Sequence, residues 1–176
     1  MKRIDRKLVR KSRIFNIYED RILTDDNKEV IYDFLEHKGA AAVVPVMDDG
    51  KILMVRQFRN AIDRYTWEIP AGCRDTVDEE YVKAAGRELE EETGYRSDDL
   101  EFLIRLKTAV AFCNEQIDVF VAVNLKKSHQ HLDEDEFIDV KAFELGDLKE
   151  MIFKGELQDA KTVASIMAYC NKYDKV

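Results

Sequence analysis

The sequence predicts a mixed α+β protein: one main domain carrying a small N-terminal antiparallel sheet. Three observations predict it. Strand patterns crowd the chain up to about residue 145 and helical patterns dominate after it, which is the segregated order of an α+β fold rather than regular βαβ alternation. A length of 176 residues fits one domain with a short appendage. Apolar residues make up 45% and aromatics 10%, enough for a core without disulfides.

The elements follow in order. The first residues are strongly basic (Lys2, Arg3, Arg6, Lys7, Arg10, Lys11, Arg13) and have no apolar run behind them. They read as a solvated segment, with an anionic-ligand arm as the alternative, rather than a targeting peptide. Residues 13–37 read as two or three strands, with Asp25-Asp26-Asn27 as a turn. Residues 40–47 and 52–58 are apolar runs around Asp48-Asp49-Gly50, a hairpin signal. Trp67-Glu68-Ile69 is a short strand stopped by Pro70-Ala71-Gly72. Residues 79–93 read as a helix closed by Gly94 at its C′ position. Strands at 101–108, 117–124 and 137–143 precede helices at 147–153 and 157–169. Richer charge in the first residues suggests a division into an N-terminal β segment, 1–38, and a main domain, 39–176.

Acids exceed bases by 36 to 28, a net charge of −8. That balance argues against nucleic acid as a partner, because phosphate contacts need a basic surface. A small phosphorylated substrate stays open, since a divalent metal can supply the charge locally. Cys73, Cys113 and Cys170 form no C-x-x-C pair, which suggests reduced thiols and a cytoplasmic location. No apolar run is long enough to span a bilayer, so no membrane association is expected.

The helix at 79–93 carries the chemistry. On a wheel of about 100° per residue, Val82, Ala85 and Leu89 mark the core face. Glu88, Glu91 and Glu92 cluster on another face centred roughly 100° away. Like charges at these spacings cost about 0.2–0.5 kcal/mol per pair. Carboxylates in the last turn also oppose the helix dipole. Arg87 can pair with Glu91 one turn on, while Glu88 and Glu92 have no evident helical partner. Several broken local rules at one place point to function. Clustered carboxylate oxygens suit Mg2+ (or Mn2+) rather than zinc.

The segment from Gly72 through Glu79 and Arg87-Glu88-Leu89-Glu90-Glu91-Glu92-Thr93-Gly94-Tyr95 resembles the signature of the Nudix hydrolases, G-x5-E-x7-R-E-U-x-E-E-x-G-U, where U is bulky and apolar. From Glu79 onward every fixed position matches; the loop after Gly72 is one residue longer. Three further stretches resemble the ADP-ribose and nucleotide-sugar pyrophosphatase branch: Glu36 to Val46, Val55-Arg56-Gln57-Phe58-Arg59, and Trp67 to Gly72. So does Gly155-Glu156-Leu157-Gln158-Asp159-Ala160-Lys161-Thr162. The resemblance implies a Nudix α/β/α sandwich with a mixed sheet. It implies a homodimer exchanging N-terminal strands, and hydrolysis of a nucleoside diphosphate sugar to a nucleoside monophosphate and a sugar phosphate.

It also implies roles. Glu88, Glu91 and Glu92 are expected metal ligands, with the carbonyl of Ala71. Glu115 matches a loop carboxylate that serves as general base, metal ligand or both, and Glu88 is the alternative base. Arg59 matches a phosphate-binding Arg. Glu68 is expected either at a sugar hydroxyl or in a strand-edge ion pair. Trp67 reads as core rather than a base-stacking platform, Cys73 as incidental, and His129 and His131, near the acidic residues 133–136, as exposed. The stretch Val30-Ile31-Tyr32-Asp33-Phe34 lacks the Arg that ADP-ribose enzymes of this branch often carry in that N-terminal strand, leaving the nucleotide sugar open. A triphosphate or dinucleoside polyphosphate hydrolase, and an inactive nucleotide-sugar sensor, are the rival expectations.

Overall fold

The computed structural model describes residues 1–132, 134 and 136–173. In chain order the strands are β1 (Lys2–Lys11), β2 (Phe15–Leu23), β3 (Glu29–His37), β4 (Ala40–Pro45), β5 (Ile52–Arg59), β6 (Arg64–Glu68) and β7 (Ala71–Cys73). Helix α1 (Tyr81–Thr93) follows, then β8 (Tyr95–Arg96), β9 (Asp99–Lys107), β10 (Gln116–Val123), β11 (Lys126–Lys127) and β12 (Asp139–Phe143). Helices α2 (Leu145–Phe153) and α3 (Ala160–Tyr173) complete the described chain. None of these helices is long and apolar enough to cross a membrane.

The basic N-terminus is a strand, not a loose segment. β1, β2 and β3 form a three-stranded antiparallel sheet, with Lys2 opposite Leu23 and Lys11 opposite Asn16. Charge recruits it. Arg6 grips the buried carboxylate of Asp20 through two nitrogens, both at 2.6 Å, and lies 3.7 Å from the ring centre of Phe34. A bidentate ion pair with a cation–π contact replaces the apolar contacts this strand lacks. The turn between β2 and β3 falls where expected, with Asn27 in the left-handed region at φ 62°.

The hairpin expected from β4 and β5 opens instead. The two segments meet at a single bridge, Val46 to Ile52, and enter different sheets. β4 joins a four-stranded sheet, β7-β4-β10-β9, parallel to β10 and antiparallel to β7. β5 is the centre of a second sheet, β12-β5-β6. Every residue of β4 is buried, and a strand covered on both faces belongs in the middle of a layered fold. Ala41 and Val43 pack against Ala84, Ala85 and Leu89 of α1. Ala40, Ala42 and Val44 share the larger core with Ile52, Met54, Leu148 and Ile166, so helices cover both sides.

On α1 the core face is Ala84, Ala85 and Leu89; Val82, expected there, is 40% exposed. Glu88 and Glu92 lie on the same buried stripe instead of a separate face. The helix starts at Tyr81 rather than 79 because Arg74 holds the preceding loop through the carbonyls of Lys38, Val77 and Glu79. That clamp absorbs the extra loop residue. Gly94 closes α1 in the left-handed region at φ 70° as expected, its N–H reaching Glu90. At the other end of the chain α3 begins at Ala160, later than the expected 157, because Asp159 caps it by accepting the Thr162 N–H at 3.0 Å.

Thr162 joins this helix to the sheet. Its fully buried Oγ1 accepts the Ile69 N–H at 3.0 Å and donates to Asp159 at 2.6 Å. Thr162→Val keeps the shape and orphans the buried Ile69 N–H, so stability should fall by about 1–3 kcal/mol. Equilibrium urea unfolding checks this; an unmoved midpoint would contradict the bridge.

Candidate active site

A cavity of about 740 Å³ opens where the C-terminal half of α1, β7, the end of β5 and the start of α3 meet. Its lining includes Arg59, Ala71, Gly72, Glu88, Glu91, Glu92 and Glu115, so the fold gathers all but one of the site residues expected from sequence. Glu68 is the exception: it is 2% exposed and lies behind the wall.

The α1 carboxylates are held from two sides. Arg87 Nη1 donates to Glu88 at 2.7 Å and to Glu91 at 2.9 Å, and its Nη2 donates to the Cys73 carbonyl at 3.0 Å. Glu88 therefore has the helical partner its sequence position did not reveal. Glu92 accepts the Ala71 N–H at 3.0 Å. Gly72 permits a close approach: a Cβ there would overlap the Glu88 carboxylate and force it to move. Burial pushes Glu88 up to about 7, with Arg87 pulling the other way. Burial and then the Glu88 charge push Glu92 up to about 8.

Two buried carboxylates this poorly compensated, facing an open cavity, have the chemistry of a hard-cation site. Among the described residues no three acidic, His or Cys side chains already stand as a metal cluster. Glu88 and Glu91 are turned onto Arg87 instead. The donor set fits a divalent ion.

Glu115 comes from the loop between β9 and β10. That loop is tied to β3, since the Leu35 N–H reaches the Phe112 carbonyl at 2.7 Å and the Asn114 N–H reaches the Leu35 carbonyl at 3.2 Å. The Thr108 hydroxyl donates to Glu115 at 2.6 Å, and His37 Nδ1 lies 3.6 Å from its other oxygen. Arg59 lines the cavity while holding Glu68 through Nε at 2.7 Å and Nη2 at 2.6 Å. Of the two roles expected for Glu68, the geometry forms the ion pair. Trp67 packs edge-on against Phe143 at 5.0 Å, on the core side. Burial raises the Cys73 thiol, which suits a bystander.

Several wall residues were not expected from the sequence. His131 is exposed, as expected, yet lines the cavity, and so does Glu136. Residues 133 and 135 lie outside the described residues. The segment before them wraps the end of α1: the His131 N–H reaches the Glu91 carbonyl at 3.0 Å and Gln130 reaches that of Glu92 at 2.6 Å. Asp159 and Lys161 line the cavity as well.

The NUDIX domain family matches residues 36–166. An ADP-ribose pyrophosphatase of Bacillus subtilis (strain 168) is 37% identical over 174 residues, 94% of this chain and 93% of that one. The methanol dehydrogenase activator of Bacillus methanolicus is 34% identical over 156 residues, covering 88% of this chain and 84% of that one. An ADP-ribose pyrophosphatase of Mycobacterium tuberculosis (strain ATCC 25618 / H37Rv) is 30% identical over 157 residues, 88% and 76% of the two chains. The crystal structure of an ADP compounds hydrolase superposes with a TM-score of 0.85 at 22% identity, covering 97% of this chain and 92% of that one. That likeness is one of fold.

Two outcomes follow from the geometry. Gly72→Ala should displace the Glu88 carboxylate and cut activity at least about tenfold, as loss of a positioned group does. Circular dichroism and a melt within about 1 kcal/mol of the parent would show the fold kept; full activity would contradict the close approach. Glu68 has its carboxyl lowered to about 2: burial opposes this, but Arg59 and Lys161 outweigh it. A depressed folded-state value contributes stability above the unfolded value of 4.5 that is lost as pH falls toward about 2. Urea midpoints between pH 5 and pH 3 should therefore fall more steeply in the parent than in Glu68→Gln.

Proposed function

The chain belongs to the NUDIX family of hydrolases, and from that premise we propose that it hydrolyses the pyrophosphate bond of ADP-ribose or a related nucleoside diphosphate sugar. The products are a nucleoside monophosphate and a sugar phosphate. The observation that carries this reading is the pair of buried carboxylates, Glu88 and Glu92, lining one cavity together with the guanidinium of Arg59. A pyrophosphate carries the negative charge that a guanidinium attracts. Relatives named ADP-ribose pyrophosphatase that span most of this chain support the same substrate class.

Glu88, Glu91, Glu92 and the Ala71 carbonyl would hold Mg2+ (or Mn2+), with Glu115 as a further ligand. Bound there, the ion neutralises phosphate charge and lowers the pKa of an attacking water. The chain's own residues do the rest. Arg87 orients Glu88 and Glu91. Arg59 offers its remaining N–H groups to a phosphate. Two loop carboxylates, Glu115 and Glu136, face the cavity as proton acceptors.

The N-terminal segment, 1–38, completes the proposal as a dimerisation element. Its sheet leaves Val9 on β1 and Ile31 and Tyr32 on opposite faces of β3 exposed. A three-stranded sheet with exposed apolar side chains needs a cover, and a second copy of this chain would supply it.

A panel of nucleotide sugars, triphosphates and dinucleoside polyphosphates with Mg2+ or Mn2+ tests the activity. ADP-ribose or another diphosphate sugar should turn over fastest; preference for triphosphates would reject the proposal. Glu92→Gln should abolish turnover and the metal-induced rise in melting temperature, which in the parent should reach about 2.7 kcal/mol of stabilisation at a hundredfold excess over Kd. Light scattering should give a dimer for the full chain, and deletion of 1–37 should lose both the dimer and substrate binding.

A further inference from the structure

We infer that Lys161 is a positioning residue for the phosphate-facing Arg59, acting through the buried Glu68 that both cations share; the inference rests on the pyrophosphatase reading above. Glu68 has both oxygens engaged. Oε1 accepts Arg59 Nε at 2.7 Å and the Thr66 hydroxyl, and Oε2 accepts Arg59 Nη2 at 2.6 Å and the Lys161 ammonium. Arg59 spends one edge of its guanidinium on this carboxylate, which leaves Nη1 for a ligand.

An Arg–carboxylate pair alone is neutral and pulls weakly on a phosphate. Lys161 places a second cation on the same carboxylate; together with Asp159, which also lines the cavity, Arg59, Glu68 and Lys161 sum to zero, and without Lys161 the same groups would carry one net negative charge there. Asp159 contacts Lys161 at 2.9 Å but is also committed to the start of α3, where it meets the Thr162 N–H, the Thr162 hydroxyl and the positive helix end. Lys161 is 11% exposed at the side chain, so solvent screens this charge little. The Asp159-Ala160-Lys161-Thr162 run thus has two jobs. Asp159 and Thr162 fix the helix to Ile69, and Lys161 keeps the charge of Arg59 available.

Steady-state kinetics at saturating Mg2+, on the diphosphate sugar of the panel that turns over fastest, separate this from a merely structural role. Lys161→Met should raise KM about tenfold with kcat within about twofold, the size of one lost charge-assisted contact. Lys161→Arg should stay near the parent KM. The double variant Glu68→Gln, Lys161→Met removes cation and carboxylate together, leaves Arg59 unanswered, and should recover most of the loss. It also avoids an unpaired buried charge, so it keeps the test alive where Lys161→Met fails to fold. Lys161→Met added to Arg59→Met should change KM little. A parent-like KM in Lys161→Met, or a double variant no better than that single one, overturns the inference. Absence of turnover by the unaltered chain instead strikes the functional reading itself.

Discussion

The site depends on how closely α1 approaches the backbone of β7. Glu88 and Glu92 share a helical stripe with Ala84, Ala85 and Leu89, so seating the apolar residues against β4 necessarily buries the carboxylates. Gly72 lets the Glu88 carboxylate lie against the strand, and the Ala71 N–H meets Glu92 at 3.0 Å. The same packing that stabilises the domain strips water from two acids. Their raised proton affinity is a consequence of the fold rather than of any special residue.

Around that constraint the chain uses arginines as joints. Arg87 binds Glu88, Glu91 and the Cys73 carbonyl, tying helix to strand while holding down like charges. Arg74 spends its guanidinium on carbonyls and fixes the loop between β7 and α1. Arg6 draws a charge-rich strand onto the N-terminal sheet through Asp20. Arg59 differs, because its partner Glu68 is also hydrogen-bonded to a lysine, Lys161. Each guanidinium exploits its planar fork, which a lysine cannot reproduce.

The sequence by itself determined the features whose cause lies within a few residues. The spacing of Glu88, Glu91 and Glu92, the Gly94 cap, the Asn27 turn and the buried run of β4 were all legible, because helix period, capping and turn chemistry are local. Most of the candidate site was legible too, since one short segment carries it. The tertiary structure decided the rest. β4 and β5 part company because one must be covered on both faces, which a hairpin signal cannot express. The basic N-terminus became a strand through Asp20 and Phe34, not through its own pattern. Glu136 and His131 reach the cavity because their segment wraps the end of α1. The ion pair between Lys161 and Glu68 joins residues 93 apart in the chain. Charge partners at that separation leave no periodic trace, since their geometry exists only once the chain has closed on itself.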